Sequence, residues 1–357
     1  MKSSRLLAPL KLLFAACSFA SLGCAQLANP WRSAVIVETG TKLGGCAVGD
    51  VDPAHPGNEV LAVAENGKVY LARPYGRRWV AESIAKAEGE LLQCAVGDFD
   101  AEHPGEEIVV VGMLKGGEDD GGQGAAYVLE RKDAKGPWSL RLLLTDSALI
   151  HAACVADVDP ELPGAEILVA GYGKKLWVTD AKGSAPEAVM ELDGPAKAIH
   201  AYRGGVAVAC STGELLWIRK AEGKWTKSVL EKGPVGQARL GGSADQLAVA
   251  RDDGQLMHYD AEGRARPIYR ESQKLRGAVL AELDPTWKGL EAASVGYEMK
   301  LAVHYQEAGK WYSEVVHTDD DRFHHLAVGE LDASSPGLEI VGCGYSGRLI
   351  IAGREGK

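Results

Sequence analysis

The sequence predicts an all-β fold, a seven-bladed β-propeller in which a strand near the start of the chain closes the last blade. Three observations carry that reading. An acidic phrase recurs with a period of roughly 50 residues, each recurrence is followed by the same succession of short strands, and the chain ends one strand short of a complete set.

The phrase is clearest in three copies. Val48-Gly49-Asp50-Val51-Asp52 leads to Pro56-Gly57-Asn58-Glu59-Val60. Val96-Gly97-Asp98-Phe99-Asp100 leads to Pro104-Gly105-Glu106-Glu107-Ile108. Val155-Ala156-Asp157-Val158-Asp159 leads to Pro163-Gly164-Ala165-Glu166-Ile167. Two weaker copies follow: Glu282-Leu283-Asp284 with Gly289-Leu290-Glu291, and Glu330-Leu331-Asp332 with Pro336-Gly337-Leu338-Glu339-Ile340. The gap between Asp157 and Glu282 leaves room for two units without the phrase.

Those two units show themselves by their later strands. A glycine-centred turn and a short apolar strand follow each phrase, as in Lys68-Val69-Tyr70-Leu71 and Lys175-Leu176-Trp177-Val178. Matching strands run 126–129, 214–217, 255–258, 300–303 and 348–351, which makes seven. A fourth strand often opens on tryptophan, at Trp79, Trp138, Trp225 and Trp311, with an apolar residue five places on. No long stretch keeps an apolar stripe at helical period. The last unit has three strands, and its missing fourth is predicted at residues 31–38, where Trp31-Arg32-Ser33-Ala34-Val35-Ile36 repeats the tryptophan spacing. That strand would satisfy two otherwise open sheet edges.

The first residues carry a different message. Lys2, Arg5 and Lys11 flank the apolar stretch from Leu12 to Leu22, and Gly23, Cys24 and Ala25 follow. This is the composition of an export signal over residues 1–25, too short to span a bilayer. Cleavage after Ala25 and cleavage before a lipid-bearing Cys24 both fit, and Ser21-Leu22-Gly23-Cys24 resembles a bacterial lipoprotein box. The expected product is one propeller over residues 26–357, monomeric, in the periplasm, on the outer membrane or secreted. The membrane would be met only through a lipid anchor. The formal charge of −10, with no basic patch, argues against nucleic-acid binding. Cys46, Cys94, Cys154, Cys210 and Cys343 sit in apolar strand-like runs with no CxxC spacing, as small buried side chains do. One disulfide among them stays open for an exported protein.

The repeated phrase resembles the FG-GAP and VCBS type of propeller repeat, and the resemblance covers five of the seven units. In that family an aspartate-rich loop, D-x-D-x-D-G, lies between the first two strands of a blade and often holds calcium. The pairs Asp50 and Asp52, Asp98 and Asp100, and Asp157 and Asp159 match the first two aspartates. Here Pro-Gly replaces the third aspartate and its glycine, and Glu59, Glu107 or Glu166 closes the loop. The resemblance implies these nine acids as calcium ligands. The residues by themselves also fit a structural loop: aspartates accept backbone N–H bonds in tight turns, glycine permits the turn, and glutamate braces its base.

Ligand chemistry is expected elsewhere, on the loops ringing one mouth of the channel. At the starts of first strands stand His151, His200, Arg239, Arg276, His324 and His325. After second strands stand Tyr172, Tyr297 and Tyr345, each behind a glycine, with Asp252 and Asp253. An acidic glycine-rich insertion between Met113 and Gly124 should lie over the same mouth. Histidine, tyrosine and arginine converging there fit a binding surface for a carbohydrate or protein. They also fit a polysaccharide lyase, in which a cation neutralises a uronic carboxylate and His or Tyr moves the proton. A transition-metal site and an ordinary water-lined channel fit as well. His55, His103, His258, His304 and His317 are expected to be surface or structural. There is no G-x-S-x-G elbow, P-loop or H-E-x-x-H. The balance favours non-catalytic binding over catalysis.

Overall fold

The computed structural model describes residues 30–76, 78–100, 102, 105–114, 122–131, 136–183 and 186–355. They form 28 strands and, among the described residues, no helix; the strands make seven four-stranded antiparallel sheets. The first blade is β2 (Leu43–Gly49), β3 (Glu59–Ala64), β4 (Lys68–Tyr75) and β5 (Arg78–Lys86), counted from the channel outward. Blades two to six repeat this consecutive order from their innermost strands: β6 (Leu91–Gly97), β10 (Ile150–Ala156), β14 (Ala196–Tyr202), β18 (Gln237–Gly242) and β22 (Leu275–Ala281).

The seventh blade is composite. Its order is β26 (Phe323–Gly329), β27 (Glu339–Gly344), β28 (Arg348–Arg354) and then β1 (Trp31–Glu38). β1 runs antiparallel to β28 with Ala34 opposite Ile351, so the early segment closes the ring as the tryptophan spacing predicts. The closure is tied to blade six as well. The Trp31 indole donates to the Tyr305 hydroxyl. The Arg354 guanidinium lies 5.0 Å from the Trp31 ring centroid and donates to the same hydroxyl at 3.1 Å.

Burial explains the strand sequences. The second strand of a blade has neighbours on both faces, so after Glu59 it reads as a continuous apolar run, Val60-Leu61-Ala62-Val63-Ala64 in β3, all buried. Apolar clusters then fill the spaces between blades. Leu61, Val63 and Leu71 meet Leu91, Ile108 and Val110 across the first interface. Leu43, Val60 and Ala62 meet Val341, Cys343 and Leu349 where the ring closes. Innermost strands approach closely: a Cβ on Gly44 would lie 2.8 Å from the Leu92 backbone. The five cysteines are buried and free.

One irregularity repeats in all seven innermost strands, and it positions the site. The pairing register slips at the strand's second residue: Gly44, Leu92, His151, Lys197, Arg276 and His324 in six blades, and Ala238 with Arg239 in β18. A β-bulge leaves its extra residue out of the ladder and re-aims the side chain. The bulge therefore presents a ring of side chains at one end of the channel.

Candidate functional site

In blades three to seven that ring is cationic or imidazole-bearing. A cavity of about 180 Å³ is lined by His151, Lys197, Ala238, Arg239, Arg276, Tyr297, His324 and Tyr345. Arg239 forms its floor and is 4% exposed. Its Nη1 donates to the Lys197 carbonyl at 2.8 Å, while its Nη2 is buried with no hydrogen-bond partner. Arg276 donates through Nη1 to Asp252 at 2.9 Å, and its Nε is likewise unpartnered. His151 Nδ1 lies 3.0 Å from the Lys197 carbonyl and 3.3 Å from Arg239 Nη1, and His324 Nδ1 lies 2.6 Å from the Gly44 carbonyl, a contact in which the ring N–H donates.

Three tyrosines stand around the cavity. The ring of Tyr172 stacks on His151 at 6.0 Å, and the Lys197 ammonium sits 4.7 Å from its centroid and bonds its hydroxyl. Tyr297 and Tyr345 meet edge to face, with their hydroxyls 3.5 Å apart. The Arg322 guanidinium covers both, 5.1 Å from one ring centroid and 4.4 Å from the other.

These positions shift the titrations. Burial, then the Arg239 charge, hold His151 well below the ordinary imidazole range and bring His324 to about 3. Burial and the neighbouring Arg276 lower Arg239 to about 10, so it stays charged at neutral pH. Burial pushes the Tyr297 hydroxyl up, but the Tyr345 hydrogen bond and the Arg276 and Arg322 charges outweigh it, and Tyr297 lies below the ordinary phenol range. Burial and the hydrogen bond that Tyr345 donates to Tyr297 raise Tyr345 to about 12.

Of the nine residues expected at this mouth, Arg239, Arg276, His151, His324, Tyr297 and Tyr345 line the cavity, and Tyr172 stands at its rim. His200 and His325 do not line it; both line the adjoining channel, as Arg239 also does. His200 is the fifth residue of β14, and its Nε2 contacts the Gly242 carbonyl at 2.9 Å, deeper in the channel. His325 is the residue after the bulge, and its Nδ1 faces the Cys46 sulfur at 3.6 Å in the wider part of the channel. Lys197 fills the place expected for His200. Sequence reasoning also missed Arg322. The signal for Lys197 was its position, second in the innermost strand like His151, Arg276 and His324. His304 is fully buried between the Ser294 and Ser313 hydroxyls, a structural role. Residues 115–121 of the acidic insertion of blade two, His103 and the leader lie outside the described residues.

The acidic loops lie at the opposite end of the channel, between first and second strands. The closing glutamate has the same task in five blades. Glu59 accepts the N–H groups of Val51 and Asp52, both at 3.1 Å. Glu107 accepts those of Phe99 and Asp100, and Glu166 those of Val158 and Asp159. Glu291 and Glu339 repeat the pair on Leu283 with Asp284 and on Leu331 with Asp332. The second aspartate then accepts the N–H two residues on: Asp52 from Ala54, Asp100 from Glu102, Asp159 from Glu161.

In three blades that aspartate also meets a cation from the third strand of the next blade. Arg131 reaches Asp52 at 2.8 Å, Lys220 reaches Asp159 at 2.7 Å, and Arg354 reaches Asp284 at 2.5 Å. Arg73 of the same blade binds Asp52 too. The first aspartates, Asp50, Asp98 and Asp157, are exposed. Among the described residues, no three of His, Cys, Asp and Glu gather as a metal-ligand set.

Comparison with known proteins agrees on architecture. No family model matches the chain, and no curated protein matches it. Solved structures do. The WD40 β-propeller domain of Doa1 superposes with a TM-score of 0.64 at 13% identity, covering 92% of this chain and 98% of that one. BBS1N, in a crystal structure with ARL6DN soaked with lead, superposes with a TM-score of 0.65 at 13% identity, covering 91% of this chain and 97% of that one. The fold is a seven-bladed β-propeller. At such identity the likeness is one of fold, and the site must speak for function.

Proposed function

We propose that the chain is a non-catalytic binding propeller that takes a carbohydrate or protein ligand at its channel mouth. The observation that carries the reading is the gathering of Tyr172, Tyr297, Tyr345, Arg239, Arg276 and Lys197, drawn from five blades, around one small cavity. Flat aromatic faces and planar guanidiniums are the groups that hold sugars and protein side chains without bond-making chemistry. BBS1N, which shares the fold, was crystallised in complex with ARL6DN, which supports a protein ligand by analogy of fold. The repeated acidic phrase supports kinship with FG-GAP and VCBS repeats, and the basic, apolar and small-residue leader supports export. For the acidic loops we propose a bracing role, in which the chain's own arginines and lysine take the place of calcium.

The test compares mouth and loop variants of the immobilised full chain. A ligand retained by wild type and by Asp50→Asn, but lost with Tyr345→Ala, belongs to the mouth. A ligand retained equally by all three overturns the reading.

A second reading rests on Tyr297, whose hydroxyl is held below the ordinary phenol range beside Arg276 and Arg322. A tyrosine of that kind suits proton transfer in β-elimination from a uronic-acid polymer. Incubation with polygalacturonate, followed by absorbance of the unsaturated product, decides it. A rise abolished by Tyr297→Phe establishes a lyase, and a flat trace leaves binding.

A further inference from the structure

We propose that the mouth cavity is an oxyanion site, built to seat one carboxylate, sulfate or phosphate group of a larger ligand on Arg239. The inference rests on the mouth-binding reading and names the chemistry that the mouth anchors.

The first argument is charge. The chain carries a formal net charge of −10, yet among the described residues no carboxylate lines this cavity. Arg239, Lys197 and Arg276 converge on it, and the acid at its edge, Asp252, is already bonded to Arg276. A buried charge without a counter-charge is expensive, and proteins keep one where a ligand completes the pair. Among the described residues no carboxylate pairs with Arg239. The groups acting on its charge are Arg276, Cys343, Cys46 and Tyr172.

The second argument is geometry. Arg239 is 4% exposed, and its Nη1 is fixed on the Lys197 carbonyl, so the guanidinium plane is locked while Nη2 is left without a partner. Arg276 adds a second unpartnered nitrogen on the same wall. Preset planar N–H donors match the oxygens of a carboxylate or of a tetrahedral oxyanion. Tyr345 donates to Tyr297, and the Tyr297 hydroxyl supplies a further donor.

The third argument is size. A volume of about 180 Å³ is below the roughly 300–1,000 Å³ of pockets that enclose a whole small ligand. The cavity suits one acidic group, and the rim tyrosines are left to contact the rest of the ligand.

The experiment titrates the full chain with sodium sulfate and sodium acetate at constant ionic strength, with chloride as the reference, by calorimetry and by melting temperature. Wild type should show saturable binding of at least one probe and a rise in melting temperature that chloride does not give. Arg239→Met should abolish the response and be no less stable than wild type without the probe, because it removes an uncompensated buried charge. If Arg239→Met does not fold, Arg276→Gln and Lys197→Met serve instead, each expected to weaken binding about tenfold. No saturation beyond chloride, or an unchanged affinity in these variants, overturns the inference. It falls alone if probe binding is absent while Tyr345→Ala still loses its ligand. The mouth-binding reading falls alone if the probe binds while Tyr345→Ala keeps its ligand.

Discussion

At the loop end of the channel, Asp52, Asp159 and Asp284 each receive a cation from the neighbouring blade, and five glutamates cap backbone N–H groups. At the mouth, Arg239 and Arg276 keep nitrogens without partners, and among the described residues no carboxylate faces the cavity. Both ends are built from the same innermost strands and the same repeat. The difference teaches that repetition and satisfaction go together. Charges that recur from blade to blade are paired within the chain and hold blades in place. Charges that differ between blades are left open towards a small cavity. A buried polar group with no partner asks for an explanation, and at the mouth a ligand supplies one.

The contrast breaks first on stability. Asp284 and Arg354 are 3% and 4% exposed, and Asp284→Ala leaves the Arg354 charge buried and opens the Thr286 turn. Removing one partner of such a pair should lower the unfolding free energy by about 3–5 kcal/mol. Glu59→Ala strips the acceptor from two buried N–H groups and should lower it by about 1–3 kcal/mol. Arg276→Gln at the mouth should change it by less than about 1 kcal/mol. Urea unfolding of the three variants checks the order. A mouth variant that destabilises as much as Asp284→Ala would make the mouth a structural brace and erase the contrast.

Much of this was legible in the sequence, for a physical reason. A propeller repeats one supersecondary unit, so five copies of the phrase and seven third strands give the blade count, and Trp31 gives the closure. The pairings between blades were not legible. Arg131 lies 79 residues from Asp52, and Lys220 lies 61 from Asp159, and nothing local marks either as a partner. The mouth was legible in residue type and blurred in register. His200 stood out as a histidine, but the bulge gives the exposed place to Lys197, three residues earlier in the same strand. Arg322 follows three aspartates and reads as part of an exposed charged loop, although it covers Tyr297 and Tyr345.

Acid sharpens the comparison. His324 has a folded pKa of about 3, against an ordinary value near 6.5, because burial and the Arg239 and Arg276 charges oppose its proton. The unfolded chain therefore binds the proton first, and the stability tied to neutral His324 is present above pH 6.5 and is lost as pH falls towards 3. His304, brought to about 3 by burial alone, behaves the same way within blade six. The acidic loops act in the opposite sense. Burial raises Glu59 and Glu291 to about 7, so their stabilisation is lost as pH rises through that value. Difference curves against wild type separate the groups: His324→Gln should flatten the loss between pH 6.5 and 5, as should His304→Asn. Sulfate should shrink the His324 difference, since an anion beside the imidazole favours its proton, and leave the His304 difference as it was. Equal responses of the two histidines to sulfate would remove the mouth's special status.

The smallest effect expected is that of calcium. Its carboxylate ligands would have to come from Asp50, Asp52 and Glu59, or from the matching sets at Asp98, Asp100 and Glu107 and at Asp157, Asp159 and Glu166. Glu59 is committed to two backbone N–H groups, and Asp52 is met by Arg73, Arg131 and His55. Glu166 and Asp159 are held in the same manner, with Lys220 as the cation. Calcium needs six to eight oxygens, so binding would require releasing a brace that already joins two blades. Added calcium and added EDTA should each leave the melting temperature of the full chain where it was. A saturable rise with calcium that Asp50→Asn or Asp157→Asn abolishes would show that the exposed first aspartates recruit the ion in spite of the brace, and the loop end would then hold a ligand as the mouth does.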